Sequence, residues 1–407
     1  MHRRHFLGLV TVGALGCALR SSVHEPSERA DEVLPVTDAS WLARLPKIEL
    51  HIHLEGAIPK PALWELISKY GGDKSVRTRE DLDRALVIRD RRHFFQMWLW
   101  MIRFLREYED FTLIGRAVAQ DLARQNIRYV EAFFSPPDFR RSRLVPQRVV
   151  EAIRKGLGDV PSIEVALIAD LVRDRGSDHA SELLDRIAEV RQQGVIGIGI
   201  GGWEQEFPPE MFGAVYERAR NLDFFTTAHA GEFAGPSSVW GAIRVLRVNR
   251  IGHATRAIEE PELMQHLADH RIPLELCPYS NVRTGIINSV REHPIRQYFD
   301  LGIPISVNTD DPLFFGNSLV DELVALQRFH RFTRGDIKRL VLSSIESSWL
   351  TPDKKAHLAK AFRNEPSWNE SDQSRSNAAG RLHSASSASP QLMRGVKETR
   401  SGSQEHL

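Results

Sequence analysis

Lys47-Ile-Glu-Leu-His-Ile-His-Leu-Glu-Gly-Ala57 is the stretch from which the fold reads outward. Residues 47–53 alternate, and a strand sends alternate side chains to opposite faces. Glu49, His51, His53 and, if the strand runs on, Glu55 share one face. Leu50, Ile52 and Leu54 take the other and need an apolar cover. Two imidazoles two residues apart at a strand end can grip one metal ion from the same side. By itself the pair reads equally as a polar strand end with solvated histidines, so the rest of the chain decides.

Short β-rich runs recur downstream, each followed by an amphipathic stretch, which is the pattern of βα units on a parallel sheet. Eight are found: Lys47–His51, Ile127–Phe134, Ile163–Asp170, Val195–Ile200, Phe224–His229, Arg250–Gly252, Pro273–Leu276 and Ile303–Asn308. Helical patterns between them include Gln147–Gly156, Ser181–Gln192, Pro209–Asn221 and Pro261–His270. The expected architecture is a single (β/α)8 TIM-type barrel, whose sites sit at the carboxyl ends of the strands. Residues 57–125 are too long for one crossover, so extra helices are expected between the first and second strands. The most apolar and aromatic part of that insertion, His93–Leu105, reads as helix packing. The sharper alternative is an apolar wall over the barrel mouth.

The 407 residues carry 54 basic and 53 acidic side chains, net charge +1, which gives no electrostatic case for nucleic acid or an anionic membrane. Cys17 and Cys277 are the only cysteines, too few for a disulfide framework. Arg3-Arg4 ahead of the apolar run Phe6–Leu19 resembles a twin-arginine export signal, too short to span a bilayer. Ala14-Leu-Gly-Cys17 also resembles a lipoprotein cleavage box. Export is favoured over a cytoplasmic location. The expected organisation is a signal-like segment and linker over 1–39, a barrel over 40–362 and a disordered polar tail over 363–407.

Strand ends supply a short roll of polar residues. The first strand ends in His51 and His53, the fifth in Thr227-Ala-His-Ala-Gly-Glu232, the sixth in Gly252-His253-Ala-Thr255, and the eighth in Asn308-Thr-Asp-Asp-Pro312. Three histidines and a carboxylate from the first, fifth and eighth strands make a Zn²⁺ site of borderline and hard ligands. A position left open for water makes such a metal catalytic.

These four motifs, in order across residues 42–350, resemble the adenosine deaminase family of metal-dependent hydrolases. The resemblance implies zinc ligands at His51, His53, His229 and Asp310, one zinc per chain. It implies a proton-shuttling acid at Glu232 and a catalytic histidine at His253 that steers the attacking water or takes its proton. Asp310 both binds metal and orients the water. Asp311 reaches purine N7, the Gly202 amide meets N3, and His53 and Glu55 contact substrate. The implied reaction is hydrolytic removal of the 6-amino group of an adenine nucleoside, with adenine or 6-aminodeoxyfutalosine as alternative substrates.

Departures from the family pattern concern the sugar end. Nucleoside-specific members carry Asp at the Glu55 position, and Gly199 and Trp203 stand where the pattern has acids. Glu55 is expected at the barrel mouth, facing the outer end of the ligand. No lysine occurs in Val195–Glu204 to bridge two metals, which argues against binuclear hydrolases. A deaminase-like growth factor or binding protein without catalysis would lack a ligand or Glu232, and this chain keeps them.

Overall fold

The computed structural model describes residues 38–136, 138 and 143–370. The export-like segment and most of the polar tail therefore lie outside the described residues. Strands β1 (Lys47–His53), β2 (Ile127–Phe134), β3 (Glu164–Asp170), β4 (Val195–Gly199), β5 (Phe225–Ala230), β6 (Arg250–His253), β7 (Leu274–Leu276) and β8 (Ile305–Val307) pair in chain order, all parallel. With helices outside, this is the (β/α)8 barrel read from the sequence. Every residue of β1 is buried, as expected where one face fills the barrel and the other meets helices.

Closure involves the motif that opened the reading. Ile52 bridges Asp310 in parallel register, His53 N–H donates to Asp310 O at 2.9 Å, and Asp310 N–H donates to His51 O at 3.2 Å. Candidate ligands from opposite ends of the chain are thus held by the hydrogen bonds that join the last βα unit to the first.

Helix α1 (Ala39–Arg44) precedes β1, and Lys47 Nζ donates to Leu42 O at 2.8 Å and Leu45 O at 2.6 Å, satisfying carbonyls at the helix end. Helices α2 (Lys60–Lys69), α3 (Arg79–Ala85), α4 (Arg91–Met101) and α5 (Tyr108–Arg124) occupy the insertion between β1 and β2. The pattern over Pro209–Asn221 resolves into a 3-10 turn, Pro209–Phe212, and a helix, Gly213–Asn221.

The ordered chain runs past Phe362. Helix Pro352–Asn364 is followed by a turn at Pro366–Asn369 with Trp368 buried, and Trp41 Nε1–H donates to Ser367 O at 2.8 Å. That packing extends the body to Glu370; the polar composition hid one apolar anchor. No helix among the described residues is long and apolar enough to cross a membrane.

Candidate active site

Four donors converge where β1, β5 and the segment after β8 meet. His51 Nε2 lies 3.1 Å from His229 Nε2, and His53 Nε2 lies 3.2 Å from it. Asp310 Oδ1 is 3.5 Å from His51 Nε2 and 3.3 Å from His53 Nε2. Ligands about 2.0–2.1 Å from a tetrahedral centre stand about 3.3–3.4 Å apart, so these spacings fit one small divalent ion. Asp310 Oδ1 is buried without a hydrogen bond, while Ser280 Oγ–H donates to its Oδ2 at 2.6 Å. One oxygen is anchored and the other is left for a ligand.

His253 also closes in, but its Nε2 stays 3.9 Å from Asp310 Oδ2 and 3.7 Å from Glu232 Oε2. A looser grouping of donors contains His51, His229, His253 and Asp310, and another contains His53, Asp310 and Asp311. The shortest separations favour His53 over His253 as a ligand. Asp310 and His253 both adopt φ +64, in the left-handed region uncommon for residues with side chains. Such backbone persists where the surroundings enforce it, and here both residues aim side chains at one point.

Charge in the floor is strongly coupled. Burial disfavours a charged His51, but Asp310 and Glu275 overcome it and hold the ring up to about 9. Burial, with the neighbouring ring of His51, pushes His229 well below its ordinary value. Glu232 ends the Gly231 turn beside the ligands, and burial, then the Asp310 and Glu204 carboxylates, raises it well above the usual carboxylate range. Burial and Asp310 lift Asp311 likewise.

Sequence reasoning missed three supports. Glu275 of β7 accepts from His51 Nδ1 at 2.7 Å, so His51 turns Nε2 inward. Arg250 of β6 lies behind Glu275 and pairs with both Glu275 and Glu131 of β2 at 2.5 and 2.6 Å. Glu204 accepts from the backbone N–H groups of Gly231, Glu232, Phe233 and Ala234 at 2.6, 3.2, 2.7 and 2.9 Å, holding the loop that carries Glu232. None has a local sequence signature; each partner is distant along the chain.

A cavity of about 260 Å³ opens above the donors. His53, His229, Glu232, His253, Asp310 and Asp311 line its floor. Phe94, Phe95, Trp98 and Leu99 of α4 cover it, so the aromatic insertion does overhang the mouth. Gly201 and Gly202 form one wall; Gly202 has φ +113, and a Cβ there would stand 2.4 Å from Asp174 Oδ1. A larger groove of about 640 Å³ between α2, α5 and helix Pro146–Gly158 is lined by Glu65, Tyr108 and Arg148 and holds none of the converging donors.

Two expectations change. β1 ends at His53, and residues 54–57 form a turn, so the alternation does not carry to Glu55. Its carboxylate is buried and accepts from Ser135 N–H at 2.9 Å, with burial raising it to about 7. Ser135, Asp138, Asp174 and Arg175 line the cavity instead. The departures at Gly199 and Trp203 also gain a reason. A Cβ on Gly199 would sit 2.6 Å from Phe133, whose ring stacks on His53 at 4.9 Å. Trp203 stacks on Phe95 at 4.9 Å, with the Arg91 guanidinium 4.4 Å from its ring.

Comparison with known proteins gives the family. The adenosine deaminase family matches residues 46–364. The chain belongs to that family. This deaminase-family chain is 34% identical over 327 residues to the aminodeoxyfutalosine deaminase of Streptomyces avermitilis, covering 79% of this chain and 91% of that one. It is 30% identical over 323 residues to the adenine deaminase of Acinetobacter baylyi, covering 79% and 97%. A zinc-bound amidohydrolase from Burkholderia ambifaria superposes with TM-score 0.75 at 28% identity, over 85% of this chain and 98% of its own. The family is metal-dependent, and its chemistry is hydrolysis of carbon–nitrogen bonds on adenine-type substrates.

Proposed function

We propose that the chain is a zinc-dependent hydrolytic deaminase acting on N9-substituted 6-aminopurines, adenosine or deoxyadenosine with tolerance for 5′-substituents, and that one ion serves each chain. The observation that carries this reading is the convergence of three imidazole nitrogens and one carboxylate oxygen at 3.1–3.5 Å, with the buried acid Glu232 facing the same cavity. The two donor groupings share Asp310, which supports a single ion. The donor set is that of catalytic zinc, with imidazoles and one carboxylate. Bound there, the ion supplies Lewis acidity and makes water ionise near neutral pH.

Glu232, kept uncharged, donates to purine N1, which breaks ring aromaticity and makes C6 electrophilic. Asp310 orients the attacking water, Asp311 accepts or donates at N7, and the Gly202 amide faces N3. Phe94, Phe95 and Trp98 exclude solvent from the flat base. Ser135, Asp138, Asp174 and Arg175 give the cavity polar groups away from the floor, which a free base leaves unused and a sugar with its substituent can pair.

A second reading, free adenine, draws support from the tie between Trp98 Nε1–H and Asp138 Oδ2 at 2.8 Å, which occupies one of those polar groups, and from the relative named adenine deaminase. Ammonia release from adenosine, deoxyadenosine, adenine, 5′-modified adenosines and 6-aminodeoxyfutalosine decides between them, alongside metal analysis. Nucleosides turning over fastest with one zinc per chain is the expected result. Adenine outpacing every nucleoside overturns the substrate choice, and two required equivalents overturn the single-ion reading. The paired arginines at the N-terminus support export as part of this proposal, and cell fractionation tests it.

A further inference from the structure

His253 ends β6 with its ring fully buried. Its Nε2 faces Glu232 and Asp310 at 3.7 and 3.9 Å and makes no hydrogen bond. Its Nδ1 lies 3.2 Å from Asn281 Nδ2. Which ring nitrogen carries the proton can be traced from the backbone. Ile295 N–H donates to His293 Nδ1 at 3.1 Å, and a backbone amide nitrogen can only donate, so that ring nitrogen is bare. The proton of neutral His293 therefore sits on Nε2, which faces Asn281 Oδ1 at 3.2 Å. That contact orients the amide, with Thr255 Oγ–H also donating to Oδ1 at 2.6 Å. Asn281 Nδ2 then points at His253 Nδ1, and an amide nitrogen donates only. His253 Nδ1 is bare in turn, and its hydrogen is on Nε2. Protonating either imidazole would set two hydrogens face to face. Burial agrees at His293, which it holds down at about 3 with help from His330.

We propose that Asn281 and His293 are positioning residues that hold His253 in its Nε2–H form, so that His253 gives a hydrogen bond to the attacking water and does not take its proton. The consequence for chemistry rests on the deamination proposed above. As the C6–O bond forms, the O–H bond of water breaks and its proton goes to a carboxylate of the site. It leaves on the amino nitrogen as ammonia when the C6–N bond breaks, while N1 keeps the proton received from Glu232 and the remaining hydroxyl proton returns to Glu232 as C6=O forms. His253 carries the same hydrogen throughout. The relay spans β6, the short helix Pro278–Arg283 that carries Asn281, and the segment before Ile295, and no sequence motif announces it.

Nitrogen NMR reads the tautomer directly. In ¹⁵N-histidine-labelled full-length protein, long-range proton–nitrogen correlations identify the ring nitrogen that bears hydrogen, with His253→Gln and His293→Gln used to assign the two rings. Nε2–H is expected at both. Asn281→Asp puts an acceptor opposite Nδ1 and should move the hydrogen there, with kcat falling about 10–100-fold and KM staying within about threefold. His293→Gln, whose amide nitrogen falls where Nε2 stood, should keep the His253 tautomer and most of kcat, whereas His293→Leu frees the Asn281 amide and should lose both. Should Asn281→Asp not fold, the His293 pair carries the comparison. Nδ1–H at wild-type His253, or Asn281→Asp with tautomer and kcat both unchanged, overturns the proposal. Nε2–H with no deamination of any purine leaves the tautomer assignment standing and removes the deaminase reading instead.

Discussion

Glu232 can serve as a proton donor only while uncharged, and the residues around it keep it so. Burial is the largest cause, and Asp310 and Glu204 add like charge. Glu232→Gln should keep the metal, because the donors at the floor are untouched, and should cost about 10²–10⁴-fold in rate. Metal analysis and ammonia release on one preparation check this; a near-native rate would refute the acid role. Glu204→Gln tests the environment. Removing a negative neighbour eases ionisation, so the pKa of Glu232 falls. The active form is the protonated one, so the alkaline limb of kcat should move to lower pH, and a limb that stays in place or moves up counts against it. Glu232 was legible in Thr227–Glu232, where the motif supplies both histidine and acid. Glu204 was not, because its role appears only when four amides fold around it. Glu55 was misread for a related reason: periodicity describes a strand, and the strand stops at His53.

Helix α4 shows how an element acquires a function that its pattern leaves ambiguous. Its apolar run suits packing, and Trp98 and Met101 are indeed buried. The same helix also roofs the cavity, with Trp98 edge-on to His53 at 6.0 Å and Phe94 against Phe315 at 5.4 Å. Only the barrel's placement under the insertion tells a roof from a core helix, so the sequence could offer both readings. Trp98→Ala should raise KM about 10- to 100-fold, in the range of hydrophobic pocket contacts, with a smaller change in kcat. Trp98→Phe keeps the apolar cover and deletes only the N–H held by Asp138. If that bond closes the cavity against sugars, the variant should gain on nucleosides relative to adenine. Steady-state kinetics on both substrates measures the ratio, and an unchanged ratio means that the bond does not set substrate length. The eight strands were readable for the opposite reason: short aliphatic runs between turn residues have one use in a repeated βα chain.

At the scale of the whole barrel, a charged network crosses the interior beneath the site. Glu131 on β2 accepts from Tyr129 OH at 2.9 Å and Trp349 N–H at 2.6 Å, and pairs with Arg250 on β6. Arg250 donates through Nη1 to Ser347 O at 3.0 Å and through Nε to Glu275 on β7, which holds His51 on β1. Four strands and the segment after the helix Arg334–Ser347 are therefore joined through one guanidinium that is 1% exposed. Burial raises Glu275, but Arg250 and then His51 outweigh it and hold its carboxyl below the usual range. Replacing Arg250 by Met removes the guanidinium between two buried carboxylates and leaves Glu275 with only the His51 ring as an ion-pair partner. Such a broken pair costs about 3–5 kcal/mol, whereas replacing a whole network by apolar groups is often neutral. Arg250→Met alone should lower the guanidinium midpoint at unchanged slope, and Arg250→Met with Glu131→Gln and Glu275→Gln should recover most of the loss. The triple variant should still release zinc to a chromogenic chelator about 10–100-fold faster than wild type, because His51 has lost the carboxylate that orients it. Recovered stability with wild-type zinc retention would mean that the network serves the barrel alone, and that His51 is aligned by β1 without help from Glu275.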